Sequence, residues 1–594
     1  MREPFIHIWR NVTNARKAKV DFQLGTHYPE ARCPNCRKLH TTTEIIMPPG
    51  VNMALFKDLQ ERGAWRSYQK YVVELEPVLE AMSARGMPVS PAAHAALTAQ
   101  LEELYGAAEG AMQALVPDEC KPFVPTNGYK KLPKDFSAEG PLLPKASKSP
   151  KPEFANNAGS DSPASTSNLK ASVGVGGLDA LGVGGPPIEG PSFLLRKFPD
   201  GEQRWVRLKK WKPSHAGLIR YMRHRKHPVP RDWKSAKETT NEDELKRLAK
   251  RTKDILYETV LEYRQIGTVL NNHLANWLPA ADGRVHPTFY YETGTGQLAS
   301  RRPNAQNAPR HGEGGKGQRA AQFRAMVAAR PGHTLLEFDY RSFHAQTLAF
   351  EAEDADYLRL AKLDIHSYLT AHLVRHPDRD RMLSWDDQEL GACLAQIKRE
   401  HTFIRDYKAK RAVLGYGFGM GWRKLYMLNQ ESFDSQADAK RVVDTLNGLF
   451  PKACAWRDSI RHQAHEQGYL MSRFGCIRWF WEVLRWDGTG WRSGGDDSEA
   501  AVAFLPANDA FCHIKEAMLR LNGADFLSKY ALINQIHDAL MFECPDALVH
   551  EALLVVKSAM ERPSEVLVNS VAPAGLSVEV SASRGVTWDR MEKV

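Results

Sequence analysis

Long apolar segments are missing from this sequence. No run of about 18 or more uncharged apolar residues occurs, and a transmembrane helix needs a run of that length. The first residues, MREPFIHIWRNV, also lack the apolar core and the small-residue cleavage site of a secretory signal. We therefore expect a cytoplasmic protein without a membrane partner.

Cysteine is scarce, because only eight occur in 594 residues and most of them are isolated. This scarcity argues against the disulfide framework of a small secreted domain. Cys33 and Cys36 form one close pair, and with His40 they are candidate zinc ligands, with His27 as a candidate fourth. The alternative is a turn whose thiols bind nothing.

Acidic residues are outnumbered by basic ones, which gives a formal net charge of +10. Such an excess fixes no fold, but it suits a polyanionic partner. Basic residues cluster in three runs, at 204–212, 220–227 and 246–253. The runs are interleaved with Trp205, Trp211 and Tyr221, which favours a track for a nucleic-acid backbone. Solvated helix faces are the alternative.

The chain is too long for one hydrophobic core, so several lobes are expected. Apolar residues recur at helical spacing from Tyr68, again from about 214 to 278, and from 350 to about 465. Between about 134 and 195, Ser, Pro, Gly and Ala dominate, which predicts a disordered or loosely ordered insertion.

Two aspartates stand at the ends of predicted strands. HTLLEFDYRSF is typical of a buried strand that delivers Asp339, and ALINQIHDALMFECP is typical of a hairpin with His537 and Asp538 at its tip. Magnesium prefers one or two carboxylates completed by water and phosphate oxygens. A pair of such ions can promote nucleotidyl transfer. Taken singly, either aspartate could equally be a cap or turn residue.

The surrounding motifs resemble those of family A DNA polymerases, the bacterial DNA polymerase I group. The matching segments, in order, are TGTGQLASRRPNAQNAPR (293–310), FDYRSFHAQTLA (338–349), DIHSYL (364–369), KRAVLGYGFGMG (410–421), GYLMSRFGCIRWF (468–480), QIHDALMFE (535–543) and GVTWD (585–589). The order and spacing agree from about residue 66 to the end, apart from the insertion. The layout suits a phage-like replication protein, in a bacterial or phage-infected cell.

The resemblance implies an α+β right-hand polymerase that adds dNTPs to the 3′ end of a primer on template DNA. Its parts would be an N-terminal extension at 1–65, a thumb at 66–292 that carries the insertion, and helical fingers at 350–450. The palm would consist of two segments, 293–349 and 451–594. Asp339 and Asp538 would hold two Mg²⁺ ions, with the Tyr340 carbonyl completing one coordination shell.

The fingers motif can be placed on a helix by its spacing. Asp406, Lys410, Leu414 and Phe418 recur every four residues, which puts them on one face. Within the resemblance, Lys410 would meet the triphosphate, Leu414 would line the nucleotide pocket, and Phe418 would stack near the base pair. The alternative is an amphipathic core helix with a snorkelling lysine. Arg405 is a further candidate for nucleotide binding, although on an ideal helix it lies about 100° around from Asp406, which is one turn before Lys410.

The resemblance also implies contacts with the primer–template. Asn304, Gln306 and Asn307 would lie beside the minor groove, and Lys234 and Lys237 at the thumb tip. His537 would lie near the primer terminus, and Gln535 would contact the primer or the minor groove. Ordinary polar loops or strand amides are the alternatives. No acidic signature of a 3′–5′ exonuclease is found, so a separate exonuclease, helicase or processivity factor is a further expected partner.

Several positions depart from the family pattern. His344 replaces a glutamate that excludes the ribose 2′-hydroxyl, and Phe418 replaces a tyrosine. Ala539, Asp406 and Gln297 stand where an acidic residue and two arginines are usual. We expect weaker rejection of ribonucleotides, since the 2′-hydroxyl is the group to be sensed. The rival hypotheses are a single-subunit RNA polymerase and an inactive fold that only binds primer–template.

Overall fold

The computed structural model describes residues 61, 63–129, 193–198, 200–232, 235–291, 293–309 and 315–594. The chain forms two compact units, one made of Met1–Ala95 with Asn276–Val594 and the other of Ala96–Ala275. Within the described part of the chain, no helix is both long and apolar enough to cross a lipid bilayer. The candidate zinc ligands Cys33, Cys36 and His40, most of the predicted insertion, and Lys234 lie outside the described residues.

The first unit is built on a five-stranded antiparallel sheet. Its strands are β1 His333–Tyr340, β2 Leu532–Ile536, β3 Ala539–Pro545, β4 Val580–Gly585 and β5 Glu592–Lys593, in the spatial order β2–β3–β1–β4–β5. The residues of β2 and nearly all of β3 are buried, so both faces of this hairpin are covered. The predicted strand that delivers Asp339 and the hairpin predicted in ALINQIHDALMFECP are both confirmed.

Helices pack against the sheet, and most of the residues between β1 and β2 in the sequence are helical. Residues Phe338 of β1 and Phe542 of β3 pack edge to face, with ring centroids 5.8 Å apart. The helices of this unit are Trp65–Tyr68, Glu76–Arg85, Gly315–Ala325, Phe343–Glu351, Ala355–Leu363, Ile365–Leu373, Asp387–Glu400, Lys410–Gly417, Trp422–Leu428, Gln436–Leu449, Pro451–Gln467, Ser498–Gly523, Phe526–Lys529 and Val549–Glu561. The helical character predicted for 350–465 is therefore confirmed.

Shorter elements complete the first unit. Four two-stranded antiparallel ribbons pair Met87–Pro88 with Arg284–Val285, Thr288–Tyr290 with Ala299–Arg301, Tyr469–Met471 with Ile477–Trp479, and Leu484–Trp486 with Trp491–Ser493. Single π-helical turns occur at Gln69–Val73 and Ile404–Ala409, and 3₁₀ turns at Met382–Ser384 and Asp546–Leu548. The α+β class predicted from sequence is confirmed.

A buried ion-pair network anchors the far end of β3. The Glu543 side chain has no exposed surface, and its Oε2 lies 2.7 Å from Arg284 Nη1. Its Oε1 accepts a hydrogen bond from the backbone N–H of Arg330 at 2.9 Å. Because a buried carboxylate that loses its partner costs several kcal/mol, these contacts hold the strand in its register.

The second unit combines helices with a three-stranded antiparallel sheet. Its helices are Pro91–Leu115, which begins in the first unit, His215–His224, Glu242–Thr252 and Ile255–Thr268, followed by a π turn at Val269–His273 and a 3₁₀ turn at Leu274–Asn276. Ser214, Asn241 and Asp254 cap the last three α-helices by accepting backbone N–H groups. The sheet pairs Phe123–Tyr129 and Phe193–Lys197 with the central strand Gln203–Leu208, and a 3₁₀ turn at Asp118–Cys120 precedes it.

The aromatic residues within the basic runs are mostly core residues. Trp211 is 1% exposed and Tyr221 is 2% exposed, and both pack in the hydrophobic core of the second unit. They therefore present no ring on which a base could stack, which corrects the sequence interpretation of aromatic residues along a nucleic-acid track. In the third run, Lys246 and Arg247 pair with Glu242 and Glu244 on their own helix, as the alternative of a solvated helix face predicts.

Candidate active site

The two predicted aspartates lie on adjacent strands. Asp339 in β1 is paired in register with Ala539, the first residue of β3, and Asp538 directly precedes that residue. The backbone N–H of Tyr340 donates to the carbonyl oxygen of Asp538 at 3.2 Å. Asp339 is exposed and Asp538 is half-buried. The antiparallel register therefore brings the two aspartates to the same end of these neighbouring strands.

A two-residue turn, His537–Asp538, presents Asp538. His537 has a φ of 53°, in the left-handed region that few side chains adopt. Its carbonyl accepts a hydrogen bond from Gln535 Nε2 at 2.5 Å. The carbonyl of Gln535 in turn accepts one from Gln306 Nε2 at 3.1 Å. The side-chain amides of Gln535 and Gln306 thus stabilise the turn by hydrogen bonds.

Burial separates the four amides for which DNA contacts were expected. Gln306 and Gln535 are 7% and 1% exposed, so they have almost no exposed surface for a direct contact and instead position the turn. Asn304 and Asn307 are exposed, and the Asn304 side chain accepts the Asn307 backbone N–H at 3.1 Å. All four carried the same expectation from sequence, because amide type does not reveal burial.

His344 lies between the strand ends and the Lys410 helix. Its Nε2 is 3.5 Å from Asp538 Oδ1, and its ring centroid is 5.7 Å from that of Phe418. The buried Nδ1 has no hydrogen-bond partner among the described residues. Two of the departures from the family pattern, His344 and Phe418, are therefore neighbours in space, and one of them contacts a predicted metal ligand.

The Lys410 helix presents one exposed face. Leu414 is 45% exposed and Phe418 is 43% exposed, and Lys410 is exposed as well. Ala412, Val413 and Tyr416 on the other side are buried in the core. The four-residue spacing of the three exposed residues thus gives a shared face, as it predicts for an α-helix.

Asp406 does not continue this face in the predicted way. The preceding turn, Ile404–Ala409, is π-helical, and the N–H of Lys410 donates to the carbonyl of Arg405, five residues earlier. A π turn contains one residue more than an α turn. Arg405, rather than Asp406, therefore takes the position one hydrogen-bonded turn before Lys410, which corrects the assignment made from spacing alone.

Arg405 is held by a capping aspartate. Asp364 caps the helix Ile365–Leu373, and its Oδ2 accepts from Arg405 Nε at 3.0 Å and Nη2 at 2.8 Å. Burial acts to raise the pKa of Asp364, but hydrogen bonds from Ser367 and the charge of Arg405 outweigh it and hold that pKa below its usual value. Arg405 Nη1 also donates to Asp406 at 2.5 Å.

His366 belongs to the same cluster, although the sequence reasoning gave it no role. Burial lowers the pKa of His366 to about 4, and it interacts electrostatically with Asp364, Arg405 and Lys410. Its buried Nδ1 has no partner in the described part of the chain. The signal that could have identified it is its place in DIHSYL, which was used only as evidence of resemblance.

The other cations near Lys410 are committed to ion pairs. Lys408 Nζ lies 2.9 Å from Asp434 and 2.7 Å from Asp438, and Arg411 pairs with Glu431. Lys410 forms no ion pair with any described residue. Of Lys408, Lys410 and Arg411, the exposed Lys410 is therefore the one available to an anionic ligand.

The donor set at the strand ends suits Mg²⁺. Among the described residues, no group of three or more His, Cys, Asp or Glu side chains is placed to hold a metal ion. Magnesium uses one or two carboxylates and takes its other ligands from water and substrate phosphates. Two aspartates at neighbouring strand ends, one exposed and one half-buried, can supply those carboxylates. Water and phosphate oxygens would then complete the coordination of each ion.

Lys237 is the described member of the predicted thumb-tip pair. It is exposed, in a loop closed by a bridge between Arg231 and Glu238. It belongs to the second unit, and its contact with a duplex stays a prediction.

The sequence of the chain is similar to that of known proteins. A model of DNA polymerase family A matches residues 218–590. The chain is 25% identical over 368 residues to the thermostable DNA polymerase I of Thermus filiformis, covering 61% of this chain and 39% of that one. It is 27% identical over 342 residues to DNA polymerase I of Chloroflexus aurantiacus, covering 56% and 32%. The chain thus spans 39% or less of the length of these two relatives.

A solved structure shares the fold. The polymerase domain of Pol1 from M. smegmatis, in complex with DNA primer-template and dNTP, matches with a TM-score of 0.60 and 17% identity, covering 91% of this chain and 74% of that one. At this level of identity the likeness concerns the fold.

Proposed function

The chain belongs to DNA polymerase family A, and on this basis we propose that it is a template-directed DNA polymerase that extends a primer with dNTPs. The observation that carries the proposal is the register that pairs Asp339 with Ala539, because it brings Asp339 and Asp538 together at neighbouring strand ends. The thumb, palm and fingers are proposed with the boundaries expected from sequence, which put both aspartates in the palm and Lys410 in the fingers.

The two carboxylates would hold the divalent ions of the reaction. Asp339 and Asp538 are the proposed ligands of two Mg²⁺ ions, with the backbone carbonyl of Tyr340 as a further ligand. When bound, such ions activate the attacking 3′-hydroxyl and stabilise the leaving pyrophosphate. The protein contributes rigidity, since the Tyr340 side chain is buried and its hydroxyl donates to the carbonyl of Met560 at 2.6 Å.

The Lys410 face would receive the incoming nucleotide. Lys410 supplies a positive charge for the triphosphate, Leu414 lines the nucleotide pocket, and Phe418 offers a ring beside the base pair. Arg405, one hydrogen-bonded turn earlier, would add a second cation if a phosphate replaces Asp364 or Asp406 as its partner. The observations that support these roles are the shared exposed face and the commitment of Lys408 to other partners.

The exposed amides would contact the primer–template. Asn304 and Asn307 are proposed to lie along the minor groove, where an amide can donate or accept without reading sequence strictly. The His537 turn would lie near the primer terminus, with Gln306 and Gln535 as its supports. Lys234 and Lys237 are proposed to contact the duplex backbone.

A primer-extension assay tests the proposal. The full chain is incubated with a labelled primer on a DNA template and dNTPs, with Mg²⁺ or with a chelator. We expect template-directed extension that requires both the primer and Mg²⁺. Synthesis from NTPs without a primer would instead identify an RNA polymerase, and tight primer–template binding without extension would identify an inactive fold.

A further inference from the structure

Two thiols outside the proposed polymerase site are in contact. Cys476 Sγ and Cys512 Sγ lie 3.7 Å apart. Cys476 ends the turn between the strands Tyr469–Met471 and Ile477–Trp479, and Cys512 lies within the helix Ser498–Gly523. All six described cysteines are free thiols, so a bond between these two would join a hairpin to a helix.

The surroundings of the pair favour a thiolate on Cys476. The nearby Lys515 is 3% exposed, and no described carboxylate forms an ion pair with it. Its Nζ lies 4.8 Å from the Phe511 ring centroid. A buried ammonium group is stabilised by a neighbouring anion. The hydrogen bond from Cys512 and the charge of Lys515 lower the pKa of Cys476 to about 7, although burial opposes them.

The two sulfurs differ in access and in their neighbours. As a whole residue Cys476 is half-buried, whereas Cys512 is buried. Burial raises the pKa of Cys512. Asp509 interacts electrostatically with both cysteines, and burial raises the pKa of Asp509 as well. One thiol is therefore suited to react with a small oxidant and the other to resolve the product.

We propose that Cys476 and Cys512 form an oxidative modification site that takes hydrogen peroxide and closes to a disulfide. The Cys476 thiolate attacks one peroxide oxygen, so that an S–O bond forms, the O–O bond breaks, and hydroxide leaves. The Cys512 sulfur then attacks the Cys476 sulfur. The S–S bond forms as the S–O bond breaks, and the departing hydroxide takes the Cys512 proton as water.

The proposed bond would act on a loop next to the amides proposed to contact DNA. Arg478, two residues after Cys476, donates to the carbonyl of Gly294 at 2.7 Å. Asn508, one helical turn before Cys512, donates to the carbonyl of Thr295 at 2.9 Å. The disulfide would therefore fasten together the two elements that hold residues 294 and 295.

Peptide mapping of the full chain tests the site. The reduced protein is treated with hydrogen peroxide, denatured in N-ethylmaleimide, digested without reductant and analysed by mass spectrometry. We expect a cross-linked peptide pair joining Cys476 to Cys512, lighter by two hydrogen atoms and released by dithiothreitol. Maleimide on both cysteines after peroxide, or a cross-link through another cysteine, would overturn the proposal.

Two variants test the order of the steps. Cys512→Ser should accumulate a sulfenic acid on Cys476 that dimedone traps, and Cys476→Ser should leave Cys512 unmodified. Cys393→Ser is the matched control, since Cys393 is also partly exposed and burial raises its pKa; it should keep the cross-link. Dimedone on Cys512 in place of Cys476 would contradict the order. The mapping of the unsubstituted chain decides the proposal even if a variant fails to fold, and its outcome is independent of polymerase activity.

Discussion

The two aspartates and the exposed face of the Lys410 helix are assembled by different physical means. Asp339 and Asp538 are distant in sequence and meet because β1 and β3 pair in one register. Lys410, Leu414 and Phe418 are close in sequence and share a face because an α-helix repeats about every 3.6 residues. The first arrangement depends on tertiary pairing, whereas the second depends on local backbone geometry.

This difference decides whether each region tolerates a shift of one residue. A fully buried hairpin cannot slip by one residue without turning its side chains to the opposite face. A helix can accept one extra residue as a π turn, and at Ile404–Ala409 this changes which residue precedes Lys410. Spacing is therefore a safe guide along Lys410–Gly417 and an unsafe one across the turn before it.

The largest expected effect tests the strand-end pair. Asp339→Asn or Asp538→Asn should lower the rate of primer extension by about a thousandfold or more, because the amide loses the charge that holds Mg²⁺. Single-turnover extension measures the effect. Asp546→Asn is the matched control just beyond the far end of β3, where Asp546 accepts the Thr334 hydroxyl at 2.7 Å. Near-normal extension by either site variant would refute the paired-carboxylate site.

The next effect tests the helix face against its neighbour. Lys410→Ala should lower kcat/KM for dNTP by about a hundredfold, because a positive charge facing the triphosphate is lost. Lys408→Ala should leave kcat/KM within a few-fold and lower the melting temperature instead, since Lys408 bridges Asp434 and Asp438. Equal losses in the two variants would mean that the exposed face does not bind the nucleotide.

A smaller effect tests whether Arg405 or Asp406 lies one turn before Lys410 on the exposed face. Arg405→Ala should raise KM for dNTP by about tenfold, equivalent to about 1.4 kcal/mol of binding energy. Asp406→Ala should leave KM unchanged or lower it, since a carboxylate near the triphosphate is removed. Steady-state kinetics at fixed Mg²⁺ measures both. A larger rise for Asp406→Ala would restore the assignment from four-residue spacing.

The smallest effect concerns His344, which contacts both Asp538 and Phe418. We expect weak discrimination between dNTP and rNTP in the unsubstituted chain, and His344→Glu should raise the dNTP preference several-fold, or by about 1 kcal/mol. His344 Nε2 lies 3.5 Å from Asp538, so a glutamate at position 344 would alter the incorporation rates of both dNTP and rNTP. The ratio of the two single-nucleotide incorporation rates is therefore the measure. A steep dNTP preference in the unsubstituted chain would contradict the proposed role of His344 and Phe418.

Much of the fold could be predicted from the sequence, and the reasons for the remaining errors are physical. The strand ending near Asp339 and the hairpin carrying Asp538 follow from apolar runs with turn residues at their ends. The burial of Trp211, Tyr221 and Gln535 did not follow, because burial depends on elements distant in sequence. The π turn was also missed, since residue types do not specify it.

The tolerance of the molecule to insertions and deletions follows from the π turn and the buried hairpin. One added residue is accommodated in the helical turn before Lys410 without disturbing the face that follows it. A residue added within β3 would move Glu543 away from Arg284, or Asp538 away from Asp339. Variation in chain length among relatives should therefore occur around the turn before Lys410 and be absent from the strands next to Asp339 and Asp538.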